Sequence, residues 1–121
     1  MKLVSTLIAS FAFLWAATYV TAVEDNSICS SGICVVEFNA SFNSQNGVPW
    51  IEGLDDCETA RVDIASNPQL QKEHKIVVVP TIVVFNEGEE VKRFQANIMM
   101  TMEATEDDVQ DAVDEILLND F

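Results

Sequence analysis

Cys29, Cys34 and Cys57 are the side chains of this sequence best equipped for chemistry, because a thiol serves as nucleophile, metal ligand or disulfide partner. Three thiols allow three pairings, and in an exported chain one disulfide with one thiol left over is expected. Glu37 comes next. It interrupts the apolar run from Ile33 to Phe38, and a carboxyl buried there needs a bonded neighbour or water and has its pKa raised. Met99, Met100 and Met102 offer thioether sulfurs, and His74 is the only imidazole. No Cys-x-x-Cys, histidine pair or facing methionine series completes a coordination set, so neither a metal nor a cofactor is expected. The methionines read instead as gap-filling or adaptable apolar groups. The acids between 103 and 115 lack the spacing and the glycine of a calcium loop and read as a solvated helix face. A Ser-His-Asp arrangement and a glycine-rich phosphate loop are both absent from the sequence.

These groups all follow an apolar leader. Lys2 is a minimal positive start, Leu3 to Val20 is apolar, and Val20-Thr21-Ala22 places small residues where a signal peptidase cuts. Residues 1–22 therefore read as a cleaved signal peptide. Leu3 to Val20 just reaches the roughly 18 residues that can span a bilayer, but it lacks a basic stop-transfer flank. Residues 23–32 read as a polar leader and residues 33–121 as one domain, exported to the periplasm or secreted. Of six basic residues only Lys2 lies in the signal, while all 20 acidic ones lie beyond it, so the mature chain carries a net charge of −15. Such a field repels nucleic acid and anionic membrane surfaces, and no membrane association is expected once the signal is removed.

The elements that must position these groups follow from pattern and punctuation. Ile33 to Asn39 reads as a buried strand. Gly47, Pro49 and Gly53 leave room only for a short helix starting near Pro49, with loop on either side. Ala60 to Ile64 reads as a second strand, and Asn67-Pro68 as the N-cap and first turn of a helix reaching about Lys75, with Leu70 turned inward. Pro80 splits the run from Ile76 to Phe85. Because proline cannot donate to a ladder, Thr81 to Phe85 is the strand and Val79-Pro80 a bend before it, a candidate for the cis isomer. Asn86-Glu87-Gly88-Glu89 reads as a hairpin turn, with a returning strand from Val91 to Ala96. Thr105 and Asp108 cap a final helix whose Val109, Ala112, Val113, Ile116 and Leu117 fall on one face. The order β-α-β-α-β-β-α implies an α/β domain with a parallel pair, an antiparallel hairpin and helices on both faces of a four-stranded mixed sheet.

From residue 33 to about 118 the sequence resembles the thioredoxin family. Val35-Val36-Glu37-Phe38-Asn39-Ala40 looks like its central strand. Val62-Asp63-Ile64-Ala65-Ser66-Asn67-Pro68, Val79-Pro80-Thr81, Phe85-Asn86-Glu87-Gly88-Glu89 and Val91-Lys92-Arg93-Phe94 are similar to its later half in order and spacing. The resemblance implies a thioredoxin-like fold in which Pro80 is cis and faces the site, and Glu37 matches the family's buried acid. The departures are equally specific. Where the family carries Trp-Cys-x-x-Cys, this chain has Phe42-Asn43-Ser44-Gln45-Asn46, so Asn43 and Asn46 stand at both thiol positions. The active-site helix is shortened, and the N-terminal strand and helix have almost no room.

Asparagine can neither attack a disulfide nor resolve one, so dithiol exchange at this position is not expected. The resemblance points instead to a groove made by Phe42, Asn43, Asn46, Val79, Pro80, Thr81, Met99 and Met100, which would hold a protein or peptide partner. The enzymatic alternative is a thiol-disulfide oxidoreductase with a relocated pair among Cys29, Cys34 and Cys57. If the first two strands are parallel neighbours, Cys34 and Cys57 lie near adjoining strand ends, which makes Cys34–Cys57 the preferred disulfide and Cys29–Cys34 the runner-up.

Overall fold

The computed structural model describes residues 29–119; the segment read as a signal peptide and most of the segment read as a polar leader lie outside the described residues. Four strands, β1 (Ile33–Asn39), β2 (Glu58–Asp63), β3 (Thr81–Asn86) and β4 (Glu89–Gln95), form one sheet in the order β2-β1-β3-β4. β1 and β2 are parallel, while β3 is antiparallel to both β1 and β4. β1 and β3 are buried along nearly their whole length, as their β-branched runs require. The β3–β4 turn takes positive φ at both Glu87 and Gly88, the geometry whose twist suits a two-residue hairpin.

Side chains on β1 alternate between two packed layers. Cys34, Val36 and Phe38 join Val83 and Phe85 under Leu70 of α1 (Pro68–Glu73). Val35 joins Ile82 and Val84 beneath Val109, Ala112, Val113 and Ile116 of α2 (Glu106–Asn119). The helices therefore cover opposite faces of the sheet. α2 begins with a reciprocal cap, in which Asp108 N donates to Thr105 Oγ1 at 3.2 Å and Thr105 N donates to Asp108 Oδ2 at 2.9 Å. No helix among the described residues is long and apolar enough to cross a membrane.

Three local expectations need correction. Between β1 and β2 there is no α-helix near Pro49 but two 3₁₀ turns, Ser41–Asn46 and Ile51–Gly53. Gly47, Pro49 and Gly53 interrupt the segment too often for i→i+4 bonding to propagate, and three-residue bonds such as Gly53 N to Trp50 O at 2.9 Å close it instead. Asn67 precedes α1, yet its Nδ2 donates to Asp63 O at 3.0 Å rather than capping the helix. α1 ends at Glu73, before a left-handed Lys75.

The third correction concerns the disulfide. Cys29 is bonded to Cys34, with their Cα atoms 5.6 Å apart, and Cys57 is a free thiol. The strands are parallel neighbours as expected, but Cys34 lies opposite Glu58, so Cys57 is one residue out of step. In a pleated strand that single residue sends the side chain to the other face. Cys34 packs in the Leu70 layer and Cys57 against the α2 layer, with the sheet between them.

Digestion of the unreduced protein is expected to yield a linked Cys29/Cys34 peptide and an alkylatable Cys57; a Cys34/Cys57 link would refute this layering. Cys29→Ser should lower stability by about 2 kcal/mol on the chain-entropy argument for so short a loop, read by urea unfolding.

Candidate functional site

The C-terminal end of β1 meets the start of β3, where Phe38 lies opposite Thr81. The Val79–Pro80 peptide preceding it is cis. Thr81 Oγ1 donates to Val78 O at 2.6 Å, and Pro80 O accepts from Ala96 N at 3.0 Å, so the bend is tied to its own strand and to the end of β4. Thr81 and Pro80 are buried and form the floor of the region.

Asn43 sits against this bend as a packed polar residue, 3% exposed. Its non-helical backbone lets the 3₁₀ turn kink inward. Its Nδ2 faces three acceptors, Asn39 Oδ1 at 3.2 Å, Val79 O at 3.4 Å and Met100 O at 3.2 Å. Two hydrogens serve three oxygens, so one bond is shared. Its Oδ1 accepts from Asn46 Nδ2 at 2.8 Å, while Asn39 Nδ2 donates to Asn43 O at 3.2 Å. Asn39, Asn43 and Asn46 thus form an amide lattice that joins β1, the 3₁₀ turn, the cis-proline bend and the methionine loop. Every group in it is a neutral hydrogen-bonding one, with no nucleophile or titrating proton among them.

The methionine loop is held by Asn97, whose Oδ1 accepts from Met99 N at 2.9 Å and Thr101 N at 3.1 Å. Met100 N donates to Asn97 O at 2.9 Å in a left-handed conformation. The loop therefore presents apolar side chains from a fixed frame. Phe42 is 72% exposed, Val77 80%, Ile98 96% and Met99 72%, all around the bend. Between them lies an uncharged cleft of about 440 Å³, walled by Phe42, Val77, Val79, Ile98 and Met100 and extending to Ile64 and Gln71. Of the predicted groove residues, Phe42, Val79 and Met100 line the cleft. Asn43, Pro80 and Thr81 form its buried support, Met99 stands at the loop tip, and Asn46 lines a smaller cleft with Trp50 and Met102. Val77 and Ile98 were missed: Val77 lies in an unbroken apolar run with no alternation to mark which members face out, and Ile98 lies in the loop after β4, where no periodicity applies.

Glu37 lies on the same face of β1 as Asn39, only 2% exposed. Its Oε1 accepts from Arg61 at 2.6 Å and its Oε2 from Val48 N at 2.9 Å; Arg61 also donates to Val48 O at 2.9 Å. Burial pushes the carboxyl above its ordinary value, against the opposing pull of the Val48 amide and the Arg61 guanidinium. Arg61 follows from parallel register, being directly opposite Glu37. Sequence reading had no way to pair them without that register. The disulfide lies at the other end of β1, where Cys34 is opposite Phe85, and Cys57 is separated from it by the sheet. The three cysteines are therefore not brought together, nor does any approach the cleft.

No protein-family model matches the chain, and no curated protein does. Solved structures do. A mutant thioredoxin from Halobacterium salinarum superimposes with a TM-score of 0.64 at 23% identity, over 78% of this chain and 84% of that one. A designed protein gives 0.62 at 24% identity, over 79% and 91% respectively. The thioredoxin of Fasciola hepatica gives 0.56 at 24% identity, over 77% and 86%. At these identities the likeness concerns the fold.

Asn43→Ala is expected to cost about 1–3 kcal/mol in urea unfolding, because the buried Val79 carbonyl and the partly buried Met100 carbonyl lose their donor; an unchanged midpoint would remove the lattice from the account of this site. Arg61→Ala should raise the Glu37 pKa further. The folded state then holds its proton to higher pH than the unfolded chain, so stability is retained in acid and lost as pH rises above 4.5 through the raised value. The deficit relative to wild type should have a constant part from the lost bond to Val48 O and grow by about 1–3 kcal/mol more from below pH 4.5 to neutrality, read by thermal melts across pH. A deficit independent of pH would contradict it.

Proposed function

We propose that this thioredoxin-like fold is an exported binding module, which holds an extended apolar segment of another protein in the cleft beside Val79 and does so without dithiol exchange. The observation that carries this reading is the ring of exposed Phe42, Val77, Ile98 and Met99 around a bend held rigid from below. The Val77, Val78 and Val79 N–H groups donate to no acceptor among the described residues, so an extended partner can add main-chain bonds to side-chain contacts there. The cleft is an uncharged island on a strongly acidic chain. A partner with basic residues flanking its apolar stretch is therefore favoured and steered in, and nucleic acid is disfavoured.

The placement of the thiols supports binding over the relocated-dithiol alternative. Cys29 and Cys34 are buried in their bonded state at the far end of β1. The Cys57 thiol is pushed up to about 11, chiefly by burial and then by Asp56, Asp55 and Glu58, which leaves very little thiolate at neutral pH. Export is supported by the leader pattern of residues 1–22 and by the intramolecular disulfide.

The test is a pair of assays on the same preparation. Insulin reduction should stay at the uncatalysed rate, and an array of short synthetic peptides should retain the protein on members with alternating apolar residues beside a basic one. Val77→Asp and Ile98→Asp, both exposed, should each weaken that retention at least about tenfold, a loss of roughly 1.4 kcal/mol, with unchanged melting temperature. Turnover of insulin, or retention indifferent to both substitutions, would defeat the proposal.

A further inference from the structure

Asn39-Ala40-Ser41 is the one triplet in the sequence in which asparagine is followed two residues later by serine or threonine, without an intervening proline. That triplet is the acceptor pattern for N-linked sugar, and it has physical meaning only in an exported chain and at an accessible position. We infer that Asn39 is an N-glycan attachment site; the inference rests on the export reading above.

The fold puts the triplet where the chemistry needs it. Asn39 is the last residue of β1 and half-exposed, Ala40 is buried, and Ser41 is exposed at the start of the 3₁₀ turn. The strand thus ends at the acceptor, and the side chain opens onto a cleft of about 270 Å³ between Ser41, Ser44, Gly47, Arg61 and Asp63. A Cβ at Gly47 would come within 3.7 Å of Asn39 Nδ2. Two hydroxyls and a carboxylate in the walls suit the hydroxyls and acetamide of an N-acetylhexosamine.

The modification is compatible with the lattice around Asn43. In the transfer the amide nitrogen attacks the anomeric carbon of a lipid-diphosphate-linked oligosaccharide. A C–N bond forms, the C–O bond to the lipid diphosphate breaks, the diphosphate leaves and the amide gives up one proton, with no change in oxidation state. The nitrogen keeps its second hydrogen, which continues to serve Asn43 O, and Oδ1 continues to accept from Asn43 Nδ2. The sugar would stand beside Ala40, which also borders the apolar cleft, so it would wall that side and leave the Val77 and Ile98 side open to a partner.

The full chain, signal included, is expressed in a eukaryotic secretory cell and the product in the medium is treated with peptide-N-glycosidase. The expected result is a shift of a single glycan, with conversion of Asn39 to the acid at the released site by mass spectrometry. Ser41→Ala should abolish the shift while leaving the Asn39 bonds in place, and Ser41→Thr should retain it. A secreted, signal-cleaved chain of unmodified mass overturns the inference alone. An uncleaved, unglycosylated chain held inside the cell overturns it together with the export reading, and the N-terminus distinguishes the two outcomes.

Discussion

The two-residue alternation of β1, enclosed by β2 and β3, is the constraint from which most of the molecule follows. With neighbours on both edges and a packed layer on each face, β1 has no freedom to slip, because a shift of one residue would exchange its two buried faces. One face carries Cys34, Val36 and Phe38 into the Leu70 layer; the other carries Val35 towards α2 and places Glu37 and Asn39 beside the irregular segment that follows. The disulfide partner, the acid's counter-ion and the anchor of the asparagine lattice are all consequences of that parity.

The segment between β1 and β2 shows how a fold keeps its site geometry without a helix at the site. Two 3₁₀ turns leave backbone groups that a continuous helix would have satisfied internally. Side chains take over that work. The Asn43 amide serves carbonyls of two other segments, and the Glu37 carboxylate with Arg61 satisfies both the N–H and the C=O of Val48. No buried side-chain polar atom among the described residues is left without a partner. A lattice this complete favours one arrangement of the bend and the methionine loop, and that rigidity lets Phe42, Val77 and Ile98 stay exposed without collapsing onto each other.

Electrostatics and packing divide the surface in a related way. The acids of α2 concentrate near its N-terminal end, where the helix dipole favours them, and away from the cleft. The cleft keeps an apolar, uncharged lining within an acidic field. A partner of the proposed kind would be held there by shape and burial close in and drawn by charge at longer range.

Much of the fold was legible because its signals are local. The β-branched runs, the Glu87-Gly88 turn, the reciprocal Thr105/Asp108 cap and the apolar face of the last helix each name an element within a few residues, and the order of elements constrains the sheet. The short helix expected near Pro49 failed for a local reason too, since competing glycines and proline tipped the segment to tighter turns. What the sequence by itself determined was therefore the four strands, the two helices that follow β2 and β4, their order, and the absence of a thiol at positions 43 and 46. Only the tertiary structure decided that Cys34 bonds Cys29 rather than Cys57, that Arg61 neutralises Glu37, that Asn43 spans to Val79 and Met100, and that Val77 and Ile98 face outward. Each of these turns on register or on contacts between residues far apart in the chain, and a periodic pattern carries the alternation of a strand but not the phase in which it meets its neighbour.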